Sequence, residues 1–318
     1  MIKNLTKETI INLLSSTALG GFLMYLAASL GEFTTAFLAF PFLVIFLSEG
    51  WKLSLLSVIL SLVIGSFFLD LASLVYLGTL ALSLTFFAGT FLKKQKSLRM
   101  TILYSSFIKL ALLIAFLLAG YYVTKVNPIE LLRDSMYASI DELSRTVSQN
   151  LDVSAQEIEK LFQTARNTVD YGIEILPAIL FMMSYLFVAV NILLGLKIAQ
   201  KSGQDLGYHK KLNEYNPRDE LKLASAIVAV VSMMVYILDL EYSSLIFSNL
   251  IAIISFFYFL DGVFLSDYIY FKSGRSFMRV FMPILIIFVF RSLLIYVIIG
   301  LFDIVFNIRE RVMTSARK

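Results

Sequence analysis

The chain has 318 residues, of which 58% are hydrophobic and only 16% are charged, with a formal net charge of +4. A soluble domain carries about 25% charged residues. The scarcity of charge, with a mean hydropathy of +0.81, therefore indicates a membrane protein. There is no cysteine and only one histidine, His209. This excludes disulfides, thiol nucleophiles and paired-histidine metal centres. We expect no metal, no cofactor, no catalytic residue and no enzymatic activity.

Long apolar runs recur along the whole chain. A helix needs about 17–25 apolar residues to cross ~30 Å of hydrocarbon, and backbone inside lipid is helical because it must satisfy its own hydrogen bonds. The sequence therefore predicts an all-α, polytopic transmembrane bundle of about nine spans. Their predicted ranges are 10–30, 34–49, 53–70, 71–92, 101–123, 175–199, 222–240, 245–271 and 277–306. The second is short and contains Pro41, which predicts a kink or a partly interfacial segment.

The distribution of lysine and arginine predicts the orientation, because cytoplasmic loops carry the excess of both. A cytoplasmic N-terminus places more than half of the 27 Lys and Arg residues inside, whereas the short outer turns near Glu32 and Asp70 contain none. The C-terminus stays open. Nine spans place it outside, but the basic residues Arg309 and Arg311 favour the cytoplasm, so 277–306 is either one span or a re-entrant or doubled segment.

Residues 124–174 form the only long polar segment, and they divide the chain into a five-span bundle (1–123), extracytoplasmic amphipathic helices (124–174) and C-terminal spans (175–318). Apolar residues recur there in steps of three and four, which predicts a helical hairpin. The two stripes are Ile129, Leu132, Met136, Ile140, Leu143, Val147 and Leu151, then Ile158, Leu161, Phe162, Ala165 and Val169. The stripes either pack on each other or on headgroups, or they form a lid or a docking surface.

Four polar residues lie near the middle of predicted spans: Lys109, Asn191, Asp261 and Arg291. Ionisable groups inside hydrocarbon cost about 2.5–3.5 kcal/mol each on insertion scales and indicate function by default. One interpretation is a structural ion pair between Asp261 and Arg291. The other is an intramembrane polar site for an anionic or zwitterionic solute, with Lys109 and Arg291 as its cationic groups.

Small residues also recur at helical spacing. Ser16 and Gly20 are four residues apart, as are Ala81, Thr85 and Gly89. This spacing predicts positions where neighbouring helix backbones approach closely.

Three stretches are distinctive beyond their hydrophobicity: AFLAFPFLVIFLSEGW (Ala36–Trp51), LPAILFMMSYLFVAVNILLGLKIAQKSG (Leu176–Gly203) and GLFDIVFNIRER (Gly300–Arg311). With them, the chain resembles the YybS-like family of predicted bacterial membrane proteins. The resemblance covers nearly the whole chain, and GLFDIVFNIRER is its most specific match. The resemblance implies a multi-pass protein of the bacterial plasma membrane.

In that family the N-terminal half is similar to substrate-binding components of energy-coupling-factor transporters, and also to a rod-shape-determining membrane protein. Two functions follow. The first is a solute-binding or transport component; the chain has no phosphate-binding loop and so no ATPase of its own, and it would depend on an energising partner or an ion gradient. The second is a non-transporting scaffold or regulator that holds partner proteins. The basic inner loops suit anionic lipid headgroups, so we expect no nucleic-acid partner.

Overall fold

A computed structural model describes residues 6–150, 155–204, 206–208, 218–238, 242–284 and 293–315, and every regular element among them is a helix. The all-α prediction is confirmed for these residues. The chain forms two compact units: the N-terminal unit, Met1–Asp134 with Leu180–Tyr208, and the C-terminal unit, Ser135–Ile179 with His209–Lys318. The division into three consecutive segments stays a prediction.

The helices follow one another with short connections. In chain order they are α1 (Lys7–Leu30), a 3₁₀ helix (Glu32–Phe37), α2 (Phe40–Ser48), α3 (Trp51–Gly65), α4 (Leu71–Lys93), α5 (Leu98–Thr124), α6 (Pro128–Asn150), α7 (Ala155–Glu174), α8 (Leu176–Lys201), α9 (Arg218–Ile237), α10 (Ser243–Lys272), α11 (Ser276–Ile284), α12 (Leu294–Phe306) and α13 (Ile308–Ser315).

Five of the described helices, α1, α4, α5, α8 and α10, are long and apolar enough to cross a membrane. Four shorter apolar segments lie between or after them: Glu32–Ser48, Trp51–Gly65, Leu221–Val235 and Leu294–Phe306. These segments overlap the remaining predicted spans, and none is longer than 17 residues. The described helices therefore include five candidate membrane spans, and the number nine stays a prediction.

The short helix α2 lies at the centre of the N-terminal unit. Its side chains pack on glycines of three surrounding helices: Phe42 on Gly20 of α1, Leu43 on Gly195 of α8 and Phe46 on Gly89 of α4. A Cβ atom on Gly20 would lie only 2.3 Å from the Phe42 ring. The predicted small-residue positions at Gly20 and Gly89 are therefore close-packed, but they receive aromatic rings and not a neighbouring backbone.

A turn separates α3 from α4 near Asp70, as the sequence predicts. Asp70 is exposed and is the N-cap of α4, and its carboxylate accepts hydrogen bonds from the backbone N–H (2.9 Å) and hydroxyl (2.7 Å) of Ser73. These bonds favour the charged form and lower the pKa of Asp70. Asp70 therefore stabilises the N-terminus of α4.

Backbones approach most closely in the C-terminal unit, where α10 crosses α12. A Cβ on Gly262 would lie 2.0 Å from the carbonyl oxygen of Tyr296, and one on Gly300 would lie 2.0 Å from that of Tyr258. Because the residue numbers rise on one helix as they fall on the other, α12 is antiparallel to α10. The end of α12 therefore returns to the side on which α10 begins.

Helices α6 and α7 occupy the predicted amphipathic segment. Ile158, Phe162 and Val169 of the second stripe are buried, as expected, whereas Leu161 of the same stripe is 61% exposed. Arg166 of α7 donates a hydrogen bond of 2.6 Å to Asp141 of α6, and this bond raises the pKa of the Arg166 guanidinium. The extracytoplasmic position of the pair stays a prediction.

Candidate functional site

A break in the second predicted span lies inside the N-terminal unit, between the 3₁₀ helix and α2. Asn191 of α8 bridges it. Its Oδ1 accepts hydrogen bonds from the backbone N–H groups of Ala39 (2.7 Å) and Phe40 (2.9 Å). Its Nδ2 donates to the carbonyl oxygens of Thr35 (3.1 Å) and Phe187 (2.9 Å). The side-chain amide has two acceptor and two donor positions, and all four are used here.

Asn249 of α10 bridges the break between α7 and α8 in the same way. Its Oδ1 accepts from the backbone N–H of Ala178 (2.8 Å), and its Nδ2 donates to the carbonyl oxygens of Glu174 (2.9 Å) and Leu245 (2.8 Å). Both asparagines thus satisfy backbone groups that a helix end leaves without partners. Their geometry supports a structural role, since neither has much capacity left for a ligand.

Lys109 lies near the middle of α5, and its side chain is only 1% exposed. Its Nζ forms an ion pair with Oε1 of Glu32, the first residue of the 3₁₀ helix. The ammonium also lies 5.1 Å from the centroid of the Phe187 ring, within the range of a cation–π interaction. A buried lysine in a membrane helix therefore has its counter-charge close by.

The Glu32 carboxylate is held from three sides. Besides Lys109, Tyr76 of α4 donates its hydroxyl to Oε2 at 3.0 Å, and the Thr35 hydroxyl lies 3.2 Å from Oε1. Its side chain nevertheless keeps 39% of its exposure, in contrast to the 1% of Lys109. The ammonium of the pair is therefore buried, and its carboxylate is partly exposed.

Aromatic rings surround this pair. The Phe187 ring under the ammonium meets Phe33 edge-on at 5.8 Å, and the Tyr76 ring packs on Phe116 at 4.7 Å. Phe33 is 67% exposed and Phe116 is 38% exposed. A partly exposed carboxylate with aromatic residues nearby is suited to an ammonium or other organic cation. We define Glu32, Thr35, Tyr76, Lys109 and Phe187 as the Glu32–Lys109 site.

A second ionic cluster lies in the C-terminal unit. Nη2 of Arg309 in α13 contacts Oδ1 of Asp261 at 2.9 Å and Oδ2 of Asp303 at 3.3 Å, while the Arg309 backbone N–H donates to Oδ1 of Asp303 at 2.8 Å. The side chains are between 0% and 2% exposed. We call these three residues the Arg309 cluster. It joins α13 to both α10 and α12.

The chain reverses at Asn307, whose left-handed backbone (φ 53°) ends α12 and directs α13 back. Among the described residues, Nε and Nη1 of Arg309 and the hydroxyl of Tyr296 have no hydrogen-bond partner. Arg309, which the sequence assigns to a basic tail, is thus buried and paired with acids. Because Arg309 is buried and paired, its charge is not evidence for the side of the membrane on which the C-terminus lies.

The four predicted site residues have different outcomes. Lys109 and Asn191 belong to the N-terminal unit and both lie next to the 3₁₀ helix, whereas Asp261 belongs to the C-terminal unit. Arg291 lies outside the described residues, and so does any pair that it forms with Asp261. Asp261 has Arg309 as a partner, an interaction that the sequence interpretation did not include.

Sequence reasoning also missed Glu32, which it placed in an outer turn. One signal was available. The segment 34–49 extends only about 24 Å as a helix, which is short for a full crossing and indicates that the residues before it do not form an ordinary surface turn. Asn307, a residue type that tolerates left-handed backbone, was the corresponding signal for the return of Arg309.

No curated protein and no solved structure matches this chain. Residues 16–304 match the model of a family described as predicted membrane protein, DUF2232. This match covers most of the chain, so the chain belongs to this DUF2232 family of predicted membrane proteins.

Proposed function

We propose that the protein is a solute-binding or transport component of the bacterial plasma membrane, and that the solute binds at the Glu32–Lys109 site. The observation that carries the proposal is the asymmetry of this ion pair. Lys109 is buried, whereas its partner Glu32 stays 39% exposed and has aromatic residues nearby. A ligand can therefore reach one charge of the pair without unfolding the unit.

A purely structural ion pair is expected to look different. The Arg309 cluster provides the comparison, because its three side chains are almost completely buried. Enclosure of this kind fixes helices in place and leaves no approach for a solute. The resemblance of the N-terminal half to substrate-binding components of energy-coupling-factor transporters favours the same assignment.

The energy source belongs to the proposal as well. The sequence contains no phosphate-binding loop, so a transport cycle would depend on an energising membrane partner or on an ion gradient. The distribution of lysine and arginine favours a cytoplasmic N-terminus. In that orientation α5 begins at Leu98 on the cytoplasmic side.

The test is native mass spectrometry of the full chain purified from its own membrane in mild detergent. We expect a bound small molecule on the wild-type protein that is lost from Lys109→Met. The matched control is Lys201→Met, which removes an exposed lysine from α8 of the same unit. Equal retention of the small molecule in both variants, or none on the folded wild type, would contradict the proposal.

A second candidate function, a membrane scaffold, is favoured by one observation on α6. Four residues of its predicted apolar stripe are exposed: Ile129 (45%), Leu132 (41%), Met136 (41%) and Leu143 (57%). A partner helix would cover such a stripe. Affinity purification with Leu132→Glu and Leu143→Glu tests this, since a scaffold is expected to lose a stoichiometric partner that the wild type retains.

A further inference from the structure

We propose that the solute of the Glu32–Lys109 site is a zwitterion with its two charges close together, such as a small amino acid or an aminoalkyl phosphate. This inference depends on the proposed function and specifies its substrate class. Its basis is the way in which the two charges of the site balance each other.

The site is electrically neutral before a ligand arrives. Lys109 supplies one positive charge and Glu32 one negative charge, and their side chains are in contact. Burying net charge at membrane depth is costly. A ligand with no net charge therefore enters at a lower cost than an anion or a cation.

A ligand that carries only one charge also leaves one residue of the site without its counter-charge. An anion that binds Lys109 displaces the Glu32 carboxylate and then lies beside it with the same sign. A cation that binds Glu32 displaces the ammonium of Lys109, which is 1% exposed and cannot turn to water. Removing one partner from a buried ion pair is strongly unfavourable.

A zwitterion avoids both problems because it exchanges one ion pair for two. Its anionic group takes the place of Glu32 at Nζ of Lys109, and its ammonium takes the place of Nζ at Glu32. Tyr76 continues to hold the carboxylate through its hydroxyl group. The charges of the ligand must be close together, since Nζ of Lys109 and Oε1 of Glu32 are in direct contact.

The rings around the carboxylate suit the cationic half of such a ligand. Phe33 and Phe116 are both exposed, and they pack on Phe187 and Tyr76, the two aromatic residues that contact the ion pair. Aromatic faces attract ammonium groups. The same zwitterionic chemistry occurs in a free solute and in the headgroup of phosphatidylethanolamine, and the exposed Leu30 next to the site is compatible with either source.

A series of probes with the same carbon skeleton tests the charge requirement. The purified full chain is heated with β-alanine, propylamine or propionate at equal concentrations, and the unfolding temperature is measured. In a second arm the protein is placed in nanodiscs of phosphatidylethanolamine or of phosphatidylglycerol. We expect stabilisation by a zwitterion only, with the apparent Kd at least tenfold weaker in Lys109→Met and in Glu32→Gln.

Two exposed residues of the same unit supply matched controls, Lys201→Met and Glu8→Gln, and these are expected to bind like wild type. Stabilisation by β-alanine identifies a free solute as the source, and stabilisation in phosphatidylethanolamine alone identifies a lipid headgroup; either result supports the inference.

Selective stabilisation by propylamine or propionate that is lost in Lys109→Met would overturn the zwitterion and leave the proposed function standing. Stabilisation that no site variant weakens would overturn the inference by placing the ligand elsewhere. No effect of any probe or lipid on folded protein would contradict both proposals.

Discussion

Two buried cations of this protein are paired with acidic residues by similar chemistry but in different surroundings. In the C-terminal unit, Arg309 is enclosed with Asp261 and Asp303, and their side chains are 2% exposed or less. In the N-terminal unit, Lys109 is equally buried, but its partner Glu32 is open to its surroundings. An intramembrane charge therefore does not mark a binding site by itself. The exposure of its partner distinguishes a site from a structural clamp.

The largest effect is expected when the enclosed cluster loses its cation. Arg309→Met leaves Asp261 and Asp303 buried together, and removing one side of a buried ion pair typically costs about 3–5 kcal/mol. Denaturant titration of the purified protein in mixed micelles measures the loss. Arg311→Met, on the exposed part of the same helix, is the control and is expected to cost no more than about 1 kcal/mol, the contribution of an exposed ion pair. Similar losses in both variants would show that α13 is not clamped by Arg309.

The two asparagines allow a direct comparison of the units. Asn191→Leu leaves the N–H groups of Ala39 and Phe40 at a buried helix break without their partner, and about 2–4 kcal/mol of stability is expected to be lost. Asn249→Leu removes the partner of one such N–H, that of Ala178, so its loss is expected to be smaller. The same titration applied to both variants checks the order. A larger loss at Asn249 would contradict the bridging role assigned to Asn191.

The open pair is expected to respond unequally to the removal of its two charges. Glu32→Gln leaves the buried Lys109 without its counter-charge, and we expect a loss of about 2 kcal/mol, less than for a fully enclosed pair. Lys109→Met leaves a carboxylate that still has Tyr76, Thr35 and partial exposure, so about 1 kcal/mol or less is expected. Unfolding measurements on both variants and on the double variant test this. Equal losses would mean that the pair is as closed as the Arg309 cluster.

The smallest effect is expected at the ion pair between α6 and α7. Arg166 and Asp141 are 49% and 47% exposed, and the water around an exposed pair screens its attraction. Arg166→Met is therefore expected to change the unfolding free energy less than any of the variants above, and raising the salt concentration is expected to reduce the difference further. A loss comparable to that of Arg309→Met would show that these helices depend on the pair.

The sequence predicted the membrane environment and the helices well, because both follow from the local distribution of apolar residues. It also predicted Lys109, Asn191 and Asp261 as exceptional, because polar residues in apolar runs are conspicuous. The sequence did not predict the partners of these three residues. Glu32 contacts a residue 77 positions away and Arg309 contacts one 48 positions away, and such pairings depend on how helices pack. The hydrogen-bond partners of Asn191 are backbone groups, which every residue type has, so no residue pattern in the sequence marks them.

The central claim is that Lys109 takes part in binding and contributes little to stability. The amount of small molecule bound per folded protein in Lys109→Met, measured by native mass spectrometry beside the wild type, tests this most directly. The account predicts that the bound molecule is lost while the unfolding free energy falls by about 1 kcal/mol or less. Retention of the molecule in Lys109→Met, with a loss of stability as large as that of Arg309→Met, would contradict the claim.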